Sequence, residues 1–343
     1  MNISIVGVSL AAGLALSWLL TGLLRHYALA TQLIDLPNAR SSHTVPTPRG
    51  GGVAIVVTFL MLASALGGAG FFEMRLLIVL VGAGLLVAVL GFLDDRAHMP
   101  ARWRFLGHAT AAVWVVAWMK PIPPIPLFGQ LVPLGVLATL LSVFYLSWMV
   151  NLFNFMDGID GIASVEAITT ALGGALVWGL AGHGTGWLLP LVFAASVAGF
   201  LLWNFPPARI FMGDAGSGFL GIVVGTLSLW CGQADAHLFW SWFILLGCFM
   251  VDGTTTLTRR VLRHEKFNEA HRSHAYQYAA RLAGRHLPVT LAIMAINVVW
   301  LLPLAIAVAI GWLDGLTGVV IAYAPLLWLA FRYKSGAREL QLI

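Results

Sequence analysis

Charged side chains are scarce in this sequence. Asp, Glu, Lys and Arg make up 10% of its 343 residues, whereas 59% of the residues are hydrophobic and the mean hydropathy is +0.89. A soluble globular domain of ordinary composition has about 25% charged residues. The shortage excludes such a domain and predicts a chain that lies within a lipid bilayer.

Cysteine is almost absent, with Cys231 and Cys248 as its two occurrences. Both lie in or beside apolar stretches, and two residues so placed provide neither a disulfide framework nor the thiolate spacing of a zinc site. We expect them to be small core residues. Internal repeats and low-complexity tracts are also missing, which argues against a repeat protein and leaves a single domain.

Long apolar stretches are what the sequence has in abundance. Each is about 20 residues long, the length at which an α-helix crosses the hydrocarbon core, and is apolar on all sides, unlike the alternating strands of a membrane β-barrel. We predict an all-α integral membrane domain over residues 1–343 with about eleven transmembrane helices. The predicted ranges are residues 3–24, 51–70, 74–93, 105–119, 131–150, 164–182, 186–204, 216–233, 236–256, 288–310 and 312–331.

Basic residues are distributed unevenly between those predicted spans. If the N-terminus is outside, all of the 19 Lys and Arg residues except Arg75 and Lys120 fall on one side. The positive-inside rule assigns that side to the cytoplasm. We therefore expect a multi-pass protein of a bacterial inner membrane, surrounded by membrane lipid, with its active site on the cytoplasmic face. The pI of about 9.6 then requires no nucleic-acid partner.

Five aspartates occur at the predicted cytoplasmic ends of helices, where acidic side chains are costly and usually functional. They come from separate parts of the chain: Asp94, Asp95, Asp157, Asp160 and Asp214. Any one of them alone could be a helix cap. As a set with few lysines nearby, they suit a hard divalent cation such as Mg²⁺, which binds one or two carboxylates together with phosphate oxygens.

Two glycine-rich strings contain three of these acids. In N-x-x-N-x-x-D-G-x-D-G (residues 151–161), the spacing puts Asn151 and Asn154 on one face of a helix end, and the glycines let a flat ligand approach the backbone. An EF-hand Ca²⁺ loop is the alternative, but its terminal Glu is missing. In MGDAGSG (residues 212–218), Asp214 precedes a turn that opens a helix, a setting suited to a metal-bound diphosphate. Nearby Phe211 could stack on a base or pack as an ordinary aromatic residue.

A long basic loop is predicted over residues 259–286. It has seven Lys and Arg residues and four histidines, a composition typical of contact with anionic lipid. Its His271, Arg272 and His274 also stand beside a tyrosine and a glutamine, a donor-rich group suited to diphosphate and sugar hydroxyls. Zinc bound by His-x-x-His is the alternative.

In this order and on one predicted membrane face, the motifs resemble the superfamily of polyprenyl-phosphate N-acetylhexosamine-1-phosphate transferases, glycosyltransferase family 4. The resemblance spans most of the chain. It rests on D-x-P-N-x-R-x-x-H at residues 35–43, the pair Asp94 and Asp95, the string at residues 151–161, and F-M-G-D-x-G-S at residues 211–217.

Two departures from the pattern of the family's peptidoglycan translocases stand out. His98 occupies the place of the lysine in D-D-x-x-K, so its basic role would pass to Arg96, Arg102 or Arg104. H-R-S-H at residues 271–274 replaces a triple-histidine string and looks more like the members that initiate O-antigen or related surface glycans. The resemblance therefore implies a surface-polysaccharide role and disfavours a peptidoglycan one.

The resemblance implies transfer of an N-acetylhexosamine-1-phosphate from a UDP-sugar to undecaprenyl phosphate, with release of UMP. The implied sugar is GlcNAc or a 6-deoxy HexNAc such as FucNAc or QuiNAc, and the implied cofactor is Mg²⁺, with Mn²⁺ as a substitute. Catalysis is implied for Asp94 and Asp95, metal binding for Asp214, and a uridine pocket for Asn151, Asn154, Asp157, Asp160 and Phe211. Diphosphate and sugar binding is implied for His271, Arg272 and His274, and support of the lipid phosphate or loop for His43, Arg49, Arg96 and Arg102.

The main competitor from another functional class is a multi-span transporter. Transporters normally show inverted repeats and ionisable residues near the midplane of the membrane. Here the acids are predicted at one interface. A CDP-alcohol phosphatidyltransferase is a second competitor, but its clustered D-G-x-x-A-R motif is absent from the sequence. A homodimer is compatible with the sequence.

Overall fold

A computed structural model describes residues 3–37, 42, 45–97, 99–120, 122, 124–127, 130–265 and 271–338. The α-helices are α1 (Ile3–Ala30), α2 (Val53–Gly68), α3 (Met74–Ala97), α4 (Ala101–Trp118), α5 (Val136–Met156), α6 (Ile162–Leu180), α7 (Leu188–Asn204), α8 (Asp214–Ala234), α9 (Ala236–Leu245), α10 (Gly247–Leu262), α11 (Ala275–Ala283), α12 (Leu287–Ile296), α13 (Leu302–Ala309) and α14 (Gly315–Arg332). A 3-10 turn (Gly184–Trp187) precedes α7, and a π-helix (Asn297–Leu301) joins α12 to α13. Two antiparallel hairpins pair β1 (Ile34–Asp35) with β2 (Thr47–Pro48) and β3 (Ile125–Leu127) with β4 (Gln130–Val132).

Eight of the described helical segments are long and apolar enough to cross a membrane. They are α1, α3, α5, α6, α7 with its 3-10 turn, α8, the segment from α12 to α13, and α14. α9 and α10 add a ninth if they are one span bent by 71°. α2 is a shorter apolar helix, and α4 begins with two arginines in its first turn. The helical membrane bundle is confirmed, whereas the predicted number of eleven spans is not.

α8 is the central helix of the bundle. In its most apolar stretch 94% of the residues are buried, compared with 17% in that of α1 at the periphery. Small residues let neighbours approach α8 closely: a Cβ added to Gly52 would lie 2.4 Å from the Gly216 backbone, and one added to Gly221 would lie 2.3 Å from the Met149 carbonyl oxygen. Such close approach of backbones is the usual way that helices pack in membranes.

One end of the bundle collects the C-termini of α3, α5 and α7 and the N-termini of α4, α6 and α8. Two hydrogen bonds join these termini: the Gly161 backbone N–H donates to Asn204 Oδ1 (3.0 Å), and Asn154 Nδ2 donates to Ser217 Oγ (3.2 Å). We call this the site end, because it carries Asp94, Asp157, Asp160 and Asp214, and the opposite one the far end. Residues from distant parts of the chain therefore meet at the site end.

Candidate active site

The site begins where α3 ends, at the adjacent Asp94 and Asp95. The Asp95 carboxylate accepts hydrogen bonds from the backbone N–H groups of Asp214 (3.0 Å) and Ala215 (3.4 Å), the first two residues of α8. These N–H groups have no partner within their own helix. α3 comes this close because Gly91 has no side chain: a Cβ there would lie 2.4 Å from the Asp214 backbone. Asp95 therefore fixes the position of Asp214.

Arg49 joins Asp95 to Asp214. Its Nη2 lies 2.6 Å from Asp95 Oδ1 and 2.9 Å from Asp214 Oδ1. Two backbone N–H groups that follow Arg49 in the chain, those of Gly51 and Gly52, donate hydrogen bonds of 2.9 Å to the carbonyl oxygens of Phe211 and Met212. These bonds hold Arg49 near the start of α8. Burial opposes the charge on Arg49, but three nearby carboxylates outweigh it and raise its pKa. The guanidinium thus offsets part of the acidic charge.

Asp94 has a different arginine partner, from α4. Arg104 Nη1 donates to Asp94 Oδ2 (2.8 Å) and lies 4.0 Å from Asp214 Oδ2. The Met99 backbone N–H donates to the other Asp94 oxygen (2.6 Å). Asp94 and Asp214 also lie close enough for each carboxylate to influence the ionisation of the other. Two carboxylates so close repel each other when both are ionised, and a cation or a shared proton relieves this repulsion.

The fit of a divalent cation rests on these neighbouring carboxylates. The described residues contain no group of three or more His, Cys, Asp or Glu side chains arranged to hold a metal. Mg²⁺ does not require such a cage, because one or two carboxylates, substrate phosphates and water complete its coordination. Asp214, with Asp94 beside it, is a donor set of that kind.

Two adjoining cavities open on either side of Asp214. The first has a volume of about 340 Å³ and the second about 220 Å³. Asp214, Asn154, Gly158 and Gln277 line both. Pockets that bind small ligands are typically of about 300 to 1,000 Å³, and the combined space falls in that range. Asp214 therefore stands where two ligands, or two parts of one ligand, would meet.

The first cavity lies between α3, α4, α5 and α11. Its polar walls are Asp94, Arg104, His108, Asn151, Asn154, His271, His274, Tyr276 and Gln277. Asn151 Nδ2 donates to the Ser147 carbonyl (2.7 Å). The cationic and hydrogen-bond-donating groups of this cavity lie on the same side of Asp214 as Asp94. The first cavity therefore suits an anionic ligand that also carries hydroxyl groups.

The second cavity contains most of the predicted uridine pocket. Asn154, Asp157, Asp160 and Phe211 line it, together with Asp35, Arg49, Asn204 and His286, whereas the predicted Asn151 lines the first cavity. Asp160 Oδ2 accepts from the Ala208 backbone N–H (3.1 Å), and its Oδ1 lies 3.1 Å from His286 Nδ1. Burial and the nearby Asp214 carboxylate raise the pKa of Asp157 well above its ordinary value. A donor from a bound base or ribose would satisfy these acceptors.

The loop predicted over residues 259–286 contains α11, and its residues 271–283, here called the histidine segment, reach the first cavity. Asp252 of α10 accepts from the backbone N–H groups of Ala275 (2.9 Å) and Tyr276 (3.1 Å), the first residues of α11. The ring of His274 is 2% exposed and stacks on Tyr276, and its Nδ1 lies 3.6 Å from Asp252 Oδ1. Tyr276 Oη donates to the Phe155 carbonyl (3.0 Å). α11 is thereby held against the residue 151–161 string.

Besides Asp95, three predicted site residues line neither cavity, and a fourth lies outside the described residues. Arg272 is not among the described residues that line either cavity, and its carbonyl accepts from Arg281 (3.2 Å). Arg96 donates to Tyr27 Oη (3.0 Å), and Arg102 lies over the Trp103 ring. His43 lies outside the described residues, as does His98 of the D-D-x-x-H motif. Of the three arginines considered for the missing lysine's role, Arg104 contacts the aspartates.

Known proteins resemble this chain over most of its length. A Bacillus subtilis (strain 168) protein named "Probable undecaprenyl-phosphate N-acetylglucosaminyl 1-phosphate transferase" is 30% identical over 323 residues, 91% of this chain and 83% of the relative. A Mycolicibacterium smegmatis "Decaprenyl-phosphate N-acetylglucosaminephosphotransferase" is 34% identical over 66% of this chain and 59% of its own length. The family described as "Glycosyl transferase family 4" matches residues 77–232. The chain belongs to glycosyl transferase family 4.

As a family 4 member, the chain is a glycosyl-1-phosphate transferase. In the structure, residues outside the matched range also contribute to the site. Residues 77–232 contain the aspartates of α3 and α8 but neither Arg49 nor α11. Sequence reasoning missed two residues that line the site cavities, His108 and Asn204, and one that lines neither of them, Asp252, which bonds the start of α11. Asp252 could have been found, because it is an acid within a predicted membrane span. His108 carries the same signal, as an ionisable residue within the span predicted at residues 105–119, whereas Asn204 carries none.

Proposed function

We propose that this family 4 enzyme transfers an N-acetylhexosamine-1-phosphate from a UDP-sugar to undecaprenyl phosphate and releases UMP. One observation carries the proposal: Asp94, Asp95 and Asp214 meet Arg49 and Arg104 between two polar cavities. A reaction between two phosphate-bearing substrates requires such a place, where both phosphates can approach one charged centre. The relatives named for N-acetylglucosamine support GlcNAc as the first sugar to test.

The chemistry is an in-line displacement at phosphorus. An oxygen of the lipid phosphate attacks the β-phosphorus of the UDP-sugar, a new P–O bond forms, and the bond from that phosphorus to the bridging oxygen breaks, so that UMP leaves with the oxygen. A phosphomonoester is already largely ionised near pH 7, so the attack needs little help from a general base. We therefore favour direct attack over a covalent phospho-aspartate.

The residues of the site act on the charges of the two substrates. Arg49 and Arg104 place positive charge beside both cavities, where anionic substrates would otherwise repel each other and the aspartates. The second cavity offers Asp157, Asp160 and Phe211 to the uridine, and the first offers His271 and His274 to the sugar and diphosphate. Mg²⁺, held by Asp214 with Asp94 beside it, would stabilise charge on the phosphate oxygens and on the UMP leaving group.

We also propose that the site faces the cytoplasm of a bacterial inner membrane, where a UDP-sugar is available. The excess of Lys and Arg on one side of the predicted spans supports this orientation. The product would begin an O-antigen or related surface polysaccharide, with GlcNAc, FucNAc or QuiNAc as its first sugar.

The test is an assay of purified protein with undecaprenyl phosphate and a panel of UDP-HexNAc donors, followed by UMP release. We expect stoichiometric UMP and lipid-linked product with at least one donor, and dependence on Mg²⁺ or Mn²⁺. Full turnover in excess chelator would contradict the metal's role. Uptake of a sugar into vesicles without UMP release would favour the transporter instead.

A further inference from the structure

A cavity larger than either site cavity lies outside them. It has a volume of about 540 Å³, compared with about 340 Å³ for the first site cavity, and lies between α10, α11, α12 and α14. Its walls are mainly small or aliphatic side chains, among them Ala279 and Leu282 of α11, Ala292 of α12 and Leu329 of α14. Leu282 is 61% exposed, so the cavity is open to the protein surface at this side chain.

One cation, and one acid, Asp252, whose carboxylate is hydrogen-bonded to the start of α11, are among the described residues of this cavity. Arg332, the last residue of α14, lines it and is exposed. Its guanidinium lies over the Tyr333 ring, and no carboxylate among the described residues forms an ion pair with it. An apolar cavity with a basic residue at its rim complements a lipid whose acyl chain is apolar and whose head group is an anionic phosphate.

α11 separates this cavity from the active site. Tyr276 and Gln277 line the first site cavity, whereas Ala279 and Leu282 line the apolar one. Of the described lining residues, Tyr276 alone is shared by both. The phosphate of a lipid whose chain fills the apolar cavity therefore does not lie beside Asp94, and this separates such a lipid from the acceptor substrate.

The contacts of α11 transmit its position to the active site. Its N-terminus is held by Asp252, and Tyr276 Oη both donates to Phe155 and fits against Gly158, where an added Cβ would lie 2.2 Å from that oxygen. On the opposite side of α11, Ala279 and Leu282 face the cavity. Misplacement of positioning residues by about 1 Å can cost roughly a hundredfold in rate, so support of α11 from behind matters to turnover.

We propose that an anionic phospholipid binds in this cavity, with an acyl chain between α11, α12 and α14 and its phosphate on Arg332, and that it holds α11 in the position that completes the first site cavity. The lipid is a bound regulator of the family 4 reaction and not its acceptor.

The test measures bound lipid without relying on activity. Wild-type protein is released from nanodiscs of equal parts phosphatidylglycerol and phosphatidylcholine and analysed by native mass spectrometry. We expect retained phosphatidylglycerol in preference to phosphatidylcholine. Ala292→Trp should lose the retained lipid by filling the cavity, and Arg332→Gln should lower the preference for phosphatidylglycerol by roughly fivefold. Ala117→Trp on exposed α4 and Arg75→Gln at the far end are the matched controls and should behave as wild type.

A second measurement connects the lipid to α11. Turnover of the wild type should rise with the phosphatidylglycerol content of the nanodisc, and turnover of Ala292→Trp should not depend on it. The proposal is overturned if Ala292→Trp retains lipid as the wild type does. It is also overturned if undecaprenyl phosphate displaces the bound lipid one for one, or if Ala292→Trp turns a dimer into a monomer, because the cavity would then be an acceptor site or a subunit interface.

Discussion

The two ends of the bundle use acidic residues differently. At the far end, Asp235 accepts from the His237 backbone N–H (2.9 Å) and Asp314 from that of Thr317 (3.1 Å), two and three residues along the chain. At the site end, the bond between Arg49 and Asp214 joins residues 165 positions apart. Local capping needs only the neighbouring helix N-terminus, whereas the site end concentrates like charges from distant segments. The difference separates structural acids from those assembled for a ligand.

The largest expected effect contrasts an aspartate from each end. Asp214→Asn removes a carboxylate charge between the two cavities, and we expect kcat to fall by roughly a hundredfold or more, because charge stabilisation at the reacting phosphates is lost. Asp314→Asn keeps a good capping side chain at the start of α14 and should leave kcat unchanged. UMP release by both purified variants measures the contrast. An equal loss of kcat in both variants would contradict the proposed difference between the two ends.

Arginines at the two ends should differ in how much they contribute to the free energy of unfolding. Arg49→Ala leaves the buried Asp95 and the nearby Asp214 without their shared partner, and we expect it to cost about 1 to 3 kcal/mol of unfolding free energy. Arg75→Ala breaks an exposed contact with Glu73 (3.3 Å) and should cost less than about 1 kcal/mol. Denaturant unfolding in detergent micelles compares them. If Arg49→Ala lost less unfolding free energy than Arg75→Ala, Arg49 would not offset the acidic charge at the site.

Within the site end, variants of His274 and Arg272 test which residues of the histidine segment recognise the UDP-sugar. His274 lines the first cavity and Arg272 does not. We expect His274→Ala to lower kcat/KM for the UDP-sugar by roughly tenfold, because the sugar loses a buried partner, with little change in the KM for the lipid. Arg272→Ala should have a smaller effect. If both variants weakened only lipid use, the segment would be a membrane anchor.

Sequence reasoning placed the helices and the acidic cluster well, because both depend on patterns visible in one dimension. Apolar length indicates a helix in a bilayer, and an acid at a membrane interface is unusual enough to be noticed. The string at residues 151–161 could likewise be read as a helix end followed by a glycine-rich turn, which is where α5 ends. These features need no knowledge of what packs against them.

Partners of the site residues were harder to predict, because they depend on which helices pack together. Arg96, Arg102 and Arg104 are equivalent in sequence, and only the crossing of α3 and α4 brings Arg104 to Asp94. The number of spans was equally hard to predict, since the ranges predicted at residues 51–70 and 105–119 form α2 and α4, which are not among the helices long and apolar enough to cross a membrane. Asp252 could have been noticed as an acid within a predicted span, but its partners, Ser335 and the start of α11, could not be predicted from the sequence.

The smallest expected effect concerns the pH dependence of the His286 and Asp160 pair at the site end. Burial works against a protonated ring, but the hydrogen bond and charge of Asp160 outweigh it, so the pKa of His286 is raised. A raised pKa in the folded state means that the pair stabilises the protein fully below the unfolded pKa of about 6.5 and that this stability is lost as the pH rises through the folded value. The unfolding midpoint should therefore fall slightly as the pH rises above about 6.5. His286→Gln and Asp160→Asn should each remove that slope, and a slope unchanged in both variants would assign it to other groups.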